Sequence, residues 1–126
     1  MVPAYTLIKK LLSVNNCVID RFNFETDLDG VTTFRVYLHP LKSHSNCCPV
    51  CGKRCPVYDK SRVYRKWRAL DLGGTIVELY SFTKRVCCKE HGIKTASVPW
   101  SYLGSRFTKD FDMTATFLAM NITIRS

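Results

Sequence analysis

No stretch of this chain approaches the roughly 20 consecutive apolar residues that cross a bilayer, so a soluble protein is expected. The opening Met1-Val2-Pro3-Ala4-Tyr5 carries no positive charge and no apolar core follows it. A secretory signal is therefore not read there, and a reducing, cytoplasmic compartment is expected. There is no glycine-rich phosphate loop, no Ser-His-Asp order and no internal repeat, which removes the nucleotide-fold, serine-hydrolase and solenoid classes. Acidic residues are scarce, 10 against 19 lysines and arginines, and they scatter through turns and strands without forming a catalytic pair. Asp27 and Asp29 resemble the start of a calcium loop, but the remaining oxygen ligands and the closing glutamate are missing, so they read as a turn.

What the chain does have is cysteine, seven in 126 residues. An odd number in a chain without a signal argues against a disulfide framework. Two short knuckles stand out: Cys48-Pro49-Val50-Cys51-Gly52 and Cys88-Lys89-Glu90-His91-Gly92. Each presents two donors three positions apart and closes on a glycine, whose backbone freedom lets a tight turn aim both donors at one point. Thiolates and an imidazole suit Zn²⁺, and Cys48, Cys51, Cys88 and His91 complete a tetrahedral Cys₃His set that leaves no position for water. Such a site is structural and not catalytic. Cys47, Cys55 and Cys87 lie close enough to replace a preferred ligand; the simpler reading of these three and of Cys17 is small buried hydrophobes. His39 and His44 sit in no knuckle. A redox reading of Cys48 and Cys51 leaves the second knuckle unexplained, and no thioredoxin-like alternation surrounds the motif.

The formal charge of +9 points to an anionic partner. Seven cations, Lys53, Arg54, Lys60, Arg62, Arg65, Lys66 and Arg68, crowd into residues 53–68 against the single acid Asp59, with Tyr58, Tyr64 and Trp67 interleaved. That mixture fits contact with a DNA backbone; the plain alternative is a solvated strand. As a strand, it would put Arg62, Tyr64, Lys66 and Arg68 on a contact face and Val63, Arg65 and Trp67 on the other, with Trp67 in the core.

The length suits one core. Leu7, Ile8, Leu11 and Leu12 recur at helical spacing over 3–14, ending at Asn15-Asn16. Strand-like runs at 17–25 and 31–39 flank Asp27-Leu28-Asp29-Gly30, a hairpin signal. Further strands are expected at 56–58, 63–70 and 75–86, with Gly73-Gly74 as a turn, so that the two knuckles pin a three-stranded excursion. A last helix is expected from Thr108, a natural N-cap, almost to the terminus, with Phe107, Phe111, Thr114 and Leu118 on one stripe. The fold class is α+β: a small zinc-ribbon-like antiparallel β domain at 41–105, a helix and hairpin at 1–40 before it, and the start of a helical segment at 106–126 after it.

Several separated motifs carry a resemblance beyond the ligands. Cys-Pro-Val-Cys-Gly at 48–52, Tyr58-Asp59, Arg65-Lys66-Trp67-Arg68-Ala69-Leu70-Asp71-Leu72, Lys84-Arg85-Val86, Val98-Pro99-Trp100 and Ser105-Arg106-Phe107-Thr108 occur in order. Together they resemble the N-terminal zinc-binding domain of the ISL-three family of bacterial insertion-sequence transposases. The family's second knuckle is typically Cys-Pro-x-Cys-Gly; here histidine replaces the last thiol, preserving zinc chemistry. The resemblance implies a module that binds transposon ends, followed by a helix-turn-helix-like segment and then a catalytic domain, for which this chain has no residues. Binding of DNA without catalysis is therefore expected, with no membrane and no small-molecule substrate. The alternative is a zinc-stabilised interaction or dimerisation module, with a homo-oligomer as partner.

Overall fold

The computed structural model describes residues 4–12 and 14–122. Helix α1, Ala4–Leu12, turns Leu12 into the core and lays Ile8 against it, while Leu7 and Leu11 stay exposed. Asn16 ends the turn that follows, at φ 61°, in the left-handed region that asparagine tolerates better than most residues. The residues expected to begin this helix before position 4 lie outside the described ones.

Strands β1, Cys17–Thr26, and β2, Thr32–Pro40, form the expected hairpin. Its turn is held by the Asp27 carboxylate, whose Oδ1 accepts from the backbone N–H groups of Asp29 and Val31, both at 2.9 Å. Gly30 takes φ 81°. Both lone pairs of that oxygen serve the turn, the role the sequence suggested in place of calcium.

Between the knuckles run two long strands, β3, Val57–Leu72, and β4, Thr75–Cys88, joined at Gly73-Gly74. The expected three-stranded excursion is thus two-stranded. Residues 58–62 do not break the chain out of the sheet, because a register shift between Lys60 and Tyr64 absorbs them. The Ser61 hydroxyl bridges the shift, donating to the Val63 carbonyl and accepting from its N–H. A short strand β5, Gly92–Thr95, folds back on the end of β4.

The sheet order is β1-β2-β4-β3, with β5 also on β4. Pairings within the ribbon are antiparallel, as expected. The hairpin joins it through a parallel pairing of β2 with β4, from Thr33↔Ile76 to Tyr37↔Tyr80. One sheet and one core therefore run across the linker at 41–56. The fold is α+β, a zinc-ribbon-like sheet flanked by two helices.

Alternation along each strand sorts the faces. Cys17, Ile19, Phe34, Val36, Leu38, Trp67, Ala69, Val77 and Leu79 point to one side and are buried. Each large aliphatic side chain so buried contributes about 1.5–3 kcal/mol. The segment 96–108 straps over this side and plants Trp100 edge-on against Trp67, ring centroids 5.3 Å apart. It then adds to the edge of β3: Arg68 N–H donates to the Arg106 carbonyl at 2.8 Å and Thr108 N–H to the Arg68 carbonyl at 2.9 Å.

Thr108 caps the second helix, α2, Lys109–Ile122, its Oγ1 accepting from Phe111 N–H at 3.3 Å. Asp110 and Asp112 in the first turn oppose the positive end of the helix dipole. The expected continuation beyond 122 lies outside the described residues. Among those residues no helix is long and apolar enough to cross a membrane.

Candidate metal centre and basic surface

The first knuckle is a loop closed by its own backbone. Cys48 N–H donates to the Lys53 carbonyl and Gly52 N–H to the Cys48 carbonyl, both at 2.9 Å, with Gly52 at φ 76°. The second is the β4–β5 turn, where Cys88 pairs with Gly92, itself at φ 75°. Two bonds hold the knuckles side by side: Cys87 N–H to the Pro56 carbonyl at 2.9 Å and Ser97 N–H to the Cys47 carbonyl at 3.0 Å.

This arrangement brings together Cys48, Cys51, Cys88 and His91, whose donor atoms all lie within 4.8 Å of one another. Cys51 Sγ and Cys88 Sγ are 3.8 Å apart; His91 Nδ1 is 3.5 Å from Cys88 Sγ and 3.7 Å from Cys48 Sγ. With metal–sulfur bonds of about 2.3 Å and metal–nitrogen bonds of about 2.0–2.1 Å, a tetrahedral zinc site has S···S edges of about 3.8 Å and S···N edges of about 3.6 Å. These three separations match such edges, so the four residues could hold a zinc ion between them. Cys48 and Cys88 are buried, Cys51 and His91 half-buried.

The turns also favour thiolates. Backbone N–H groups of Glu90 and His91 point at the Cys88 sulfur and lower its pKa to about 7. The Cys51 N–H, with that of Val50, lowers the Cys48 thiol as well, while at Cys51 the Lys53 N–H is outweighed by burial and the neighbouring sulfurs, which push that thiol up. Thiolate is the form that ligates metal.

The remaining cysteines divide. Cys17 is fully buried among aliphatic side chains, the hydrophobe expected of it. Cys47 and Cys55 are half-buried, their thiols turned to the Ser45 and Lys53 carbonyls at 3.5 and 3.3 Å. Cys87 corrects the expectation: it is exposed, because its neighbour Cys88 faces inward and adjacent strand residues face opposite ways.

The seven basic residues at 53–68 do not form one surface. Lys60, Tyr64, Lys66 and Arg68 lie on the side of the sheet away from the core, in register with Lys84, Phe82, Tyr80 and Glu78. Lys66 pairs with Glu78 at 3.4 Å, Arg68 with Asp71 at 2.9 Å and Lys53 with Glu90 at 3.7 Å. Arg65 faces the core side, its guanidinium 5.1 Å from the Trp67 ring centroid, as alternation predicts. Arg54 and Arg62 are exposed.

One cation that the sequence run did not single out joins them. Arg106, from the strap after β5, lines an open cleft of about 630 Å³ with Arg65, Lys66, Arg68 and Phe107. Only the pairing of 106–108 with the β3 edge brings it there.

A mixed sheet closed at one end by four convergent thiol and imidazole donors has the architecture of a zinc-ribbon-like module able to hold a metal ion. Residues 44–91 match the family described as "zinc-finger of transposase IS204/IS1001/IS1096/IS1165". The chain is also 34% identical over 117 residues to the transposase for insertion sequence element IS1557 of Mycobacterium tuberculosis, in strain CDC 1551 / Oshkosh and equally in strain ATCC 25618 / H37Rv. The alignment covers 90% of this chain and 26% of each relative, so the chain spans about a quarter of their length. No solved structure matches.

Proposed function

We propose that this chain is the zinc-binding, DNA-binding N-terminal module of a bacterial insertion-sequence transposase, holding the element's ends without performing strand transfer. The observation that carries the reading is the Cys₃His cluster at the end of the very ribbon whose β3 bears the basic run. Cys48, Cys51, Cys88 and His91 hold Zn²⁺, which locks the knuckles and fixes the start of β3 against the end of β4. All four positions are filled by protein, so the ion supplies structure and not chemistry. The reducing cytoplasm keeps the thiols available for it.

DNA contact falls to the cations free of acidic partners. Of the run at 53–68, Lys53, Lys66 and Arg68 are paired on the protein surface and Arg65 turns to the core side, where it donates to the Ser105 carbonyl, leaving Arg54, Lys60 and Arg62 as the stronger phosphate ligands. Three such contacts predict a slope of about −2.7 for log K against log salt. Titration of a duplex carrying an element end, at several salt concentrations, tests this. Arg62→Ala should reduce the slope by about one. A slope near zero, or binding indifferent to these substitutions, would refute the DNA reading.

A second reading draws on exposed apolar residues before and along α2. Leu103, Met113 and Leu118 are more than half exposed, as in a docking or dimerisation surface. Concentration-dependent sedimentation with no DNA affinity would favour that reading instead.

A further inference from the structure

We propose that the side of the sheet away from the core binds a single strand of nucleic acid, stacking unpaired bases on a cross-strand aromatic cluster and seating phosphates on Lys42, Lys60 and Lys84. The proposal rests on the DNA reading and goes further, because duplex contact by β3 alone requires no aromatic platform.

Four aromatic residues from three strands meet on this face. Tyr64 of β3 stacks on Phe82 of β4 at 4.0 Å between centroids, Tyr37 of β2 stacks on Tyr80 of β4 at 5.2 Å, and Tyr37 meets Tyr64 edge-on at 5.0 Å. The Arg21 guanidinium of β1 sits 3.8 Å from the Tyr37 ring centroid and extends the series. Aromatics are costly to leave in water, yet Tyr64 and Phe82 are 39% and 47% exposed. Neither helix covers them: α1 packs on the core side, and α2 meets the sheet at β3 beyond the strap.

Beside them opens a cleft of about 480 Å³, lined by Lys42, Lys60, Lys84, Tyr64, Phe82 and His39 among others. Among the described residues, Lys42, Lys60 and Lys84 have no acidic partner. The acids nearby are already engaged, Glu78 by Lys66, Arg35 and the Tyr80 hydroxyl, and Asp20 by His39. The face therefore presents free positive charge next to ring surface, the pairing that sequence-tolerant single-strand sites use. Its four strands span about 14 Å at roughly 4.8 Å spacing, a width on which sheets of this kind stack two or three bases. A B-form duplex keeps its bases stacked inside and offers rings nothing; an unpaired strand offers every base.

The test is fluorescence anisotropy with a labelled oligo-dT of about a dozen nucleotides and, separately, a duplex of the same length. Phe82→Ala, at an exposed position with little effect on folding as checked by circular dichroism, is expected to weaken oligo-dT binding about tenfold, and Phe82→Trp to restore it. Lys84→Ala and Lys60→Ala should each lower the salt slope for oligo-dT by about 0.7. Duplex binding without oligo-dT binding would overturn this proposal and leave the DNA reading intact. Binding to neither would overturn both. Unchanged oligo-dT affinity in Phe82→Ala, with altered sedimentation, would make the face a protein interface and overturn the proposal as well.

Discussion

Removing the metal should melt one end of this protein and spare the other. The core around Trp67, Val77 and Leu79 contains none of the four donors, and the buried residues at the ribbon end, Cys48, Val86 and Cys88, stand outside it. That end has almost no apolar surface of its own to hold it. The ion acts there as a cross-link between positions as far as 43 residues apart, Cys48 and His91. Closing a loop of that size removes about 13 cal/mol/K of chain entropy, about 4 kcal/mol at 25 °C, which the ribbon must otherwise supply from packing. Opening of the ribbon end should therefore become about a thousandfold more frequent without metal.

Amide hydrogen exchange reads this directly. After chelation, the N–H groups of Cys48, Gly52, Cys55 and Cys87, each bonded across or between the knuckles, should lose about three orders of magnitude of protection. Those of Val77 and Leu79 should change little, and Trp67 fluorescence should stay native. Uniform loss of protection would refute the reasoning by showing that metal and core are one cooperative unit. No loss would refute the metal site, as would protein purified under reducing conditions that contains no zinc by elemental analysis.

Trp67→Ala should act at the opposite end, costing about 3–5 kcal/mol in urea denaturation because it empties a site 2% exposed and strands Trp100. Gly92→Ala meets no atom within 4 Å but forces an alanine to φ 75°, so a loss of about 1–2 kcal/mol in zinc-loaded stability should come from backbone strain alone. Asp59 accepts from the Arg85 guanidinium, which holds its carboxyl below the ordinary range. A lowered folded pKa stabilises above the unfolded value and fades as pH falls through the folded one. Melting temperatures of the protein and Asp59→Asn should accordingly converge under acid conditions and differ at neutral pH.

How much of this could be read beforehand follows from the range of each signal. The hairpin was legible because Asp-Gly and period-two alternation are local, and Trp67 was placed inward by alternation alone. The four donors were legible because a knuckle is written in five consecutive residues. The parallel union of β2 with β4 was not, since neither strand records which edge it will meet. Nor was β5, whose four residues are all exposed and carry no alternation. The sequence preferred Cys88 to Cys87 only by its two-residue spacing from His91; alternation says that one of the two faces away, and it took the pairing of Cys88 with Gly92 to show that Cys87 is the exposed one.

The charge run shows where sequence reading stops and tertiary structure begins. Seven cations between 53 and 68 suggest one electropositive stripe, but strand alternation splits them between two faces, and Glu78 and Asp71 offset two of those on the outer face. The unpaired charge that remains there gathers from three distant places in the chain, Lys42 after β2, Lys60 in β3 and Lys84 in β4. Lys60 and Lys84 are cross-strand partners, and like charges placed opposite each other destabilise a sheet. Their repulsion is borne by the strand pairing that the knuckles clamp, since Cys88 lies on the same strand as Lys84. An anion lying over that pair would relieve the repulsion, which is the physical reason to expect the proposed strand's phosphates there and not on the paired cations of β3.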